Sequence, residues 1–300
     1  MRERALRFGP ERLLVGILAE PTADEPSSDL GVIFLNSGLL HRVGPSRLHV
    51  QVARQLAPAG VASLRFDLSG VGDSDTRTDG LPFQQSAVLE TQAAMDELAR
   101  LRGVTRFVLY GLCSGSDVAY YTALADTRVA GLVQLDPFVY HTWRWAAHRI
   151  APRVLNIESW TNLLTGKTYL GPWLQRVLGS AEKSEGAAAL ADENVVHNPY
   201  ARAFPPKAEI EAGLTTLCRR SVAQLAILSA GQPEHVNHDG QYEACFAQVP
   251  FGDLLTVAWR GAADHTFTSL AEQAFVLAET VRWHRVLVAS SRPAECLIPA

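Results

Sequence analysis

The sequence predicts an α/β protein built on a mostly parallel sheet with helices on both faces. Four short segments, Leu30–Leu35, Val61–Phe66, Val104–Tyr110 and Val129–Leu135, are almost continuously apolar, as strands buried on both faces must be. Helix-like stretches separate them at Arg47–Leu56, Ser86–Arg102 and Ser114–Ala125. Regular strand–helix alternation implies parallel strands joined by right-handed crossovers. In such sheets ligands bind beyond the carboxyl ends of the strands.

In chain order, ALRFG and RLLVGILAE read as an antiparallel hairpin with Gly9-Pro10 in its turn. The four apolar strands and their helices follow, with Leu48, Val52 and Leu56 on one side of the first helix. The pattern breaks at Pro137 and resumes near Gln224 with LAILSAG. The interval is helix-like and contains Trp143, Trp145, Trp160, Tyr169 and Trp173. It is expected to form a helical lid, residues 137–222, inserted after the sixth strand of a core made of residues 1–136 and 223–300. Trp143 and Trp160 are candidate substrate-binding aromatics, against the plainer reading that tryptophans fill a helical subdomain's own core. Leu254–Trp259 makes a last strand, and Leu270–Leu287 a closing helix.

The chain has 300 residues, 47% of them hydrophobic and 19% charged, which suits a large globular core. A net charge of −4 provides no basic field for nucleic acid. No apolar run is long enough for a membrane span, and the first residues carry no apolar stretch before a cleavage site, so a cytoplasmic protein is expected. Cys113, Cys218, Cys245 and Cys296 are widely spaced, with no CxxC pair to suggest zinc or a redox dithiol. No metal or cofactor is expected, and no oligomeric state is assigned.

The chemistry gathers in FVLYGLCSGSD, Phe107–Asp117. A strand turning sharply into a helix with a nucleophile at its apex is a nucleophile elbow. The turn crowds the residues two before and two after the apex, so both must be small. With Cys113 at the apex these are Gly111 and Gly115; with Ser114 they are Leu112 and Ser116, and Leu112 does not fit. Cys113 is therefore the expected nucleophile, at a helix N-terminus whose N–H groups favour a thiolate. The Ser114 N–H is expected to serve as one oxyanion donor. A second is expected from the loop after LGVIFL, at Gly38 or Leu39, with His41 as a polar pocket wall or a partner for loop carbonyls.

His265 in GAADHTF follows the last strand and is the expected base; His235 and His238 follow the strand before it. Two acids remain open. Asp136 ends the VAGLVQL strand, and Glu234 follows the LAILSA strand, with Asp239 as a further option; Asp136 is preferred.

On these residues the chain resembles the α/β-hydrolase superfamily across nearly everything outside the lid. The resemblance rests on GLCSG, on RFDLSGVGDSD (Arg65–Asp75) after the fourth strand, and on the histidine loop GAADHTF. The chain departs from that pattern in having Cys where Ser is usual, and in lacking an Asp in SAGQPEHV. A cysteine elbow is similar to dienelactone hydrolases and to assembly-line thioesterases and acyltransferases. LNSGLLHRVGPSR resembles bacterial hydrolases of exopolysaccharide and secondary-metabolite clusters. The resemblance implies a thioesterase or acyltransferase working through an acyl-S-cysteine intermediate on thioesters of an acyl-carrier protein or CoA. Alternatives are a carboxylesterase or lactone hydrolase, a cyclase on the same scaffold, and a non-catalytic ligand-binding member.

Overall fold

The computed structural model describes residues 1–22, 28–155, 202 and 204–290. Among them, eight strands form one sheet in the order β1-β2-β4-β3-β5-β6-β7-β8. The strands are β1 (Arg2–Phe8), β2 (Leu14–Glu20), β3 (Leu30–Phe34), β4 (Ser63–Asp67), β5 (Arg106–Leu112), β6 (Val129–Leu135), β7 (Ala223–Ser229) and β8 (Leu255–Arg260). The β1–β2 hairpin and the β2–β4 pair are antiparallel, and every other pairing is parallel. The helices are α1 (Leu48–Leu56), α2 (Phe83–Arg102), α3 (Ser114–Ala125), α4 (Trp143–Leu155), α5 (Lys207–Arg219), α6 (Gln241–Cys245) and α7 (Leu270–Ser290).

The apolar strands are buried on both faces because their side chains alternate between two cores. Val108, Tyr110 and Leu112 of β5 point with Val133 and Leu135 of β6 into the core under α1 and α7, beside Leu48, Val52, Val276 and Trp283. Phe107, Leu109 and Leu132 point the other way, towards Met95 and Leu98 of α2 and Tyr120 of α3. This is the α/β-hydrolase fold that the sequence reading anticipates. No helix among the described residues is long and apolar enough to cross a membrane.

One expected boundary moves. Residues 207–219 fall inside the segment read as lid, yet α5 is the crossover helix between β6 and β7. Its Ile210, Leu214 and Leu217 are buried in the α2/α3 core, and the Tyr120 hydroxyl donates to the Ile210 carbonyl at 3.2 Å. A parallel pair such as β6–β7 needs a crossover, and a helix supplies it. Spacing of i, i+4, i+7 along Ile210, Leu214 and Leu217 carries that signal in the sequence.

The ladder continues past the strand ends and brings three loops into register. Leu35 donates to the Tyr110 carbonyl at 2.9 Å, Cys113 to Leu135 at 2.9 Å, and Asp136 to Ile227 at 2.9 Å. The residues that leave β3, β5 and β6 thus stand side by side at the carboxyl edge.

Candidate active site

Cys113 occupies the apex between β5 and α3 with φ 54° and ψ −119°, a conformation that a side chain adopts only when the surroundings enforce it. The enforcement is steric. A Cβ on Gly111 would fall inside the backbone of Gly115, and a Cβ on Gly115 would come within 2.5 Å of the Asn36 carbonyl. The two glycines let β5, α3 and the loop after β3 approach closely enough to form the elbow.

His265 lies in the loop between β8 and α7, with Nδ1 2.6 Å from Asp136 Oδ2. Asp136 is buried and itself in a left-handed conformation, φ 46°. Its carboxylate also accepts from the Ser229 backbone N–H and hydroxyl, both at 2.7 Å, so the end of β7 holds the acid in place. Burial pushes the His265 imidazole down, but the Asp136 hydrogen bond, a hydrogen bond with Cys113 and the two charges override it and raise the group to about 9. Of the two acids expected from sequence, Asp136 is the one the fold brings to His265. Glu234 is exposed and meets His141 through its carbonyl oxygen, 2.7 Å from the ring Nε2.

The loop after β3 is fastened from below. Asn36 donates to the Leu40 carbonyl at 2.7 Å and to Asp67 at 3.1 Å, and its Oδ1 accepts from Leu68 N–H at 2.8 Å. Asp67, fully buried at the end of β4, also accepts from the Arg42 backbone N–H at 2.6 Å and from the Arg42 guanidinium. Gly72, at φ 55°, leaves room that a Cβ would take from the Asp67 carboxylate. RFDLSGVGDSD is thus the scaffold for the loop after β3.

Within that loop the Gly38 N–H donates to Ser114 Oγ at 2.7 Å, so it is turned to the helix start. Of the two loop donors expected from sequence, the Leu39 N–H has no backbone partner among the described residues. His41 lies 3.5 Å from Asp67 and 3.4 Å from Asp73, a partner of carboxylates rather than of loop carbonyls. His41, Asp67 and Asp73 could together offer ligand atoms to a cation. Arg42, however, is bound to both carboxylates and already places one cation between them.

The two tryptophans at the start of α4 face different ways. Trp143 is 80% exposed, while Trp145, two residues along α4, is buried, stacked on His141 at 3.6 Å and bonded through Nε1 to the Pro233 carbonyl at 3.2 Å. The helix register turns one ring in and the other out. Trp160 lies outside the described residues.

Two features escape sequence reasoning. Arg202 forms a two-pronged ion pair with Asp117 in the first turn of α3, at 2.8 and 2.7 Å, with its guanidinium 5.0 Å over Phe138 and 4.9 Å over Phe204. Burial raises Asp117 to about 6 against the pull of that guanidinium. Gln232, just after β7, has its side-chain nitrogen 3.0 Å from His265 Nε2. Neither residue stands in a recognisable motif, because each acts through a neighbour distant in sequence.

No protein-family model matches the chain, and no curated protein matches it in sequence. Solved structures match over almost its whole length. A putative α/β hydrolase of unknown function from Agrobacterium tumefaciens is 11% identical, covering 97% of this chain and 100% of its own, with a TM-score of 0.56. The esterase Est1E from Butyrivibrio proteoclasticus is 14% identical, covering 95% and 99%, with a TM-score of 0.55. Proline iminopeptidase from Mycobacterium smegmatis is 13% identical, covering 97% and 100%, with a TM-score of 0.54. At such identities the likeness is one of fold: the chain has the α/β-hydrolase fold.

Proposed function

We propose that the protein is an enzyme of acyl transfer to water or another acceptor, with Cys113 as nucleophile, His265 as base and Asp136 as the acid that orients it. The observation that carries this is the cysteine at a strained apex, hydrogen-bonded to an imidazole that a buried carboxylate already holds. Solved structures of the same fold include an esterase and a peptidase, which agrees with hydrolytic chemistry on this scaffold. The finer reading is a thioesterase or acyltransferase, acting in the cytoplasm in bacterial secondary metabolism.

In the first half-reaction the Cys113 proton passes to His265, or already rests there in a thiolate–imidazolium pair, and the sulfur attacks the acyl carbonyl. The Ser114 and Leu39 N–H groups receive the developing oxyanion. The carbon–sulfur bond of the donor breaks, the departing thiol takes the proton from His265, and an acyl-S-enzyme remains. In the second half, His265 Nε2 takes a proton from water, an alcohol, an amine or a thiol, which attacks the same carbonyl; the acyl–sulfur bond breaks and the leaving Cys113 sulfur takes that proton back from His265. A thioester donor exchanges one carbon–sulfur bond for another, so acylation is nearly level, whereas an ester or amide donor must climb. Acyl groups carried by an acyl-carrier protein or CoA are the donors this favours.

The test is incubation with a panel of acyl thioesters and simple esters, followed by intact and peptide mass spectrometry. Acyl mass on the Cys113 peptide, absent in Cys113→Ala, is expected from thioesters first. Acyl mass on Ser114, or no adduct from any donor, sinks the reading; equal use of simple esters favours a carboxylesterase instead.

A further inference from the structure

We infer that Gln232 is a positioning residue for His265, whose side-chain N–H competes with the Cys113 thiol for the Nε2 lone pair and restrains formation of the thiolate. The inference rests on the Cys113–His265 pairing proposed above.

The placement of Gln232 is built by the end of β7. Ser229 grips Asp136 through its N–H and hydroxyl, and its Oγ accepts from the Gly231 N–H at 3.2 Å. Gly231 packs so tightly on the histidine loop that a Cβ there would overlap the His265 backbone nitrogen. The Gln232 carbonyl accepts from the His235 and Val236 N–H groups, at 2.9 and 3.0 Å. Backbone on both sides of Gln232 is therefore fixed, and its half-buried side chain is aimed at one atom of the imidazole. One strand end thus holds the acid, admits the histidine loop, and meets the ring at its far nitrogen.

The bonding rules then restrict the ring. A carboxylate only accepts, so Nδ1 facing Asp136 carries a proton. A carboxamide NH2 only donates, so Nε2 facing Gln232 must offer its lone pair, which makes the neutral ring the form that satisfies both partners. Asp136 and Cys113 pull the other way, towards the imidazolium. Among the described residues, His235, whose charge interacts with that of His265, and Arg202, which interacts with Cys113 and Asp136, also act here. Gln232 is thus a neutral opponent of proton transfer from Cys113.

The same bond helps the second half-reaction. Once Cys113 is acylated it has no proton to give, and His265 must be unprotonated to accept one from the incoming nucleophile. A donor at Nε2 favours that state. Restraint of the resting thiol and readiness of the acyl-enzyme are two effects of one hydrogen bond.

The experiment measures the rate of Cys113 alkylation by iodoacetamide between about pH 5 and pH 9 in wild type, Gln232→Leu and His265→Gln, since only the thiolate reacts. Gln232→Leu keeps the side chain's bulk and removes the donor. It is expected to speed alkylation about three- to tenfold near neutral pH, the worth of one neutral hydrogen bond, and to move the rise in rate to lower pH. Thermal unfolding of Gln232→Leu separates this from loosening of the loop; a faster rate accompanied by a large fall in Tm overturns the inference. So does a Gln232→Leu profile that coincides with wild type or runs slower, while His265→Gln still suppresses alkylation. Identical profiles for wild type and His265→Gln would remove the Cys113–His265 pair itself, and the inference with it.

Discussion

Asp67 and Asp136 are both buried aspartates at the carboxyl edge of the same sheet, and they differ in what faces them. Asp67, at the end of β4, is met by the guanidinium and N–H of Arg42 and by the Asn36 amide. These hydrogen bonds all come from permanent donors, and the guanidinium stays charged throughout the working pH range; the titratable His41 ring stands farther off, at 3.5 Å. Asp136, just past β6, is met by the N–H and hydroxyl of Ser229 and by the imidazole of His265, the one partner there that can gain or lose charge. A buried carboxylate compensated by a fixed cation makes architecture; one compensated by a titratable ring can respond to proton transfer. The backbone agrees: Asp67 lies within a regular strand, whereas Asp136 is held at positive φ.

The sharpest way to break this comparison is to neutralise each carboxylate in turn. Asp136→Asn should lower acyl-enzyme formation from a thioester by about 10³-fold, within the range for loss of a positioned acid–base system. Measured above about pH 9, where the His265 linkage is spent, its urea unfolding midpoint should shift little, because the amide can still accept from Ser229. Comparable activity in the variant would remove Asp136 from the machinery. Asp67→Asn should do the reverse in kind, destabilising the fold by about 3 kcal/mol in equilibrium urea unfolding, as expected when one partner of a buried ion pair is removed. If it leaves the unfolding midpoint unchanged, the scaffold role fails.

A smaller effect sharpens the same contrast. His265 is raised from 6.5 to about 9 in the folded protein. A raised folded value means the stabilisation is fully present below pH 6.5 and is lost as pH rises through about 9. This linkage contributes about 1–3 kcal/mol over that window. Unfolding free energies measured across it should therefore decline in wild type and flatten in Asp136→Asn. Asp67→Asn should keep the slope, since it leaves the His265–Asp136 pair in place.

Much of the site is legible in the chain because its demands are local. An elbow needs small residues at fixed offsets, and only the Cys113 register provides Gly111 and Gly115. His265 is recoverable from position, being the histidine just after the last strand. The acid is not recoverable this way. Asp136 and Glu234 each follow a strand at the same edge, and their candidacy differs only in which side chain turns towards the ring. That turn depends on positive φ at residue 136 and on Ser229 from the neighbouring strand. Trp143 is a similar case, where composition points to an aromatic wall and the register of α4 leaves the ring in solvent. The crossover helix α5 hides for another reason: its apolar spacing is present, but a helix-rich stretch shows no boundary until packing against α3 separates core from insertion.

The sequence by itself determined the fold class and singled out Cys113 and His265 as the candidate nucleophile and base, because alternation of apolar runs and the spacing of glycines act through neighbours along the chain. Only the tertiary structure decided which acid serves His265, that Arg202 reaches Asp117, and that Gln232 meets Nε2. Those pairings join residues 33 to 129 positions apart. Side-chain direction at such separations is set by the sheet's register and by the loops that leave it, and no local pattern encodes it.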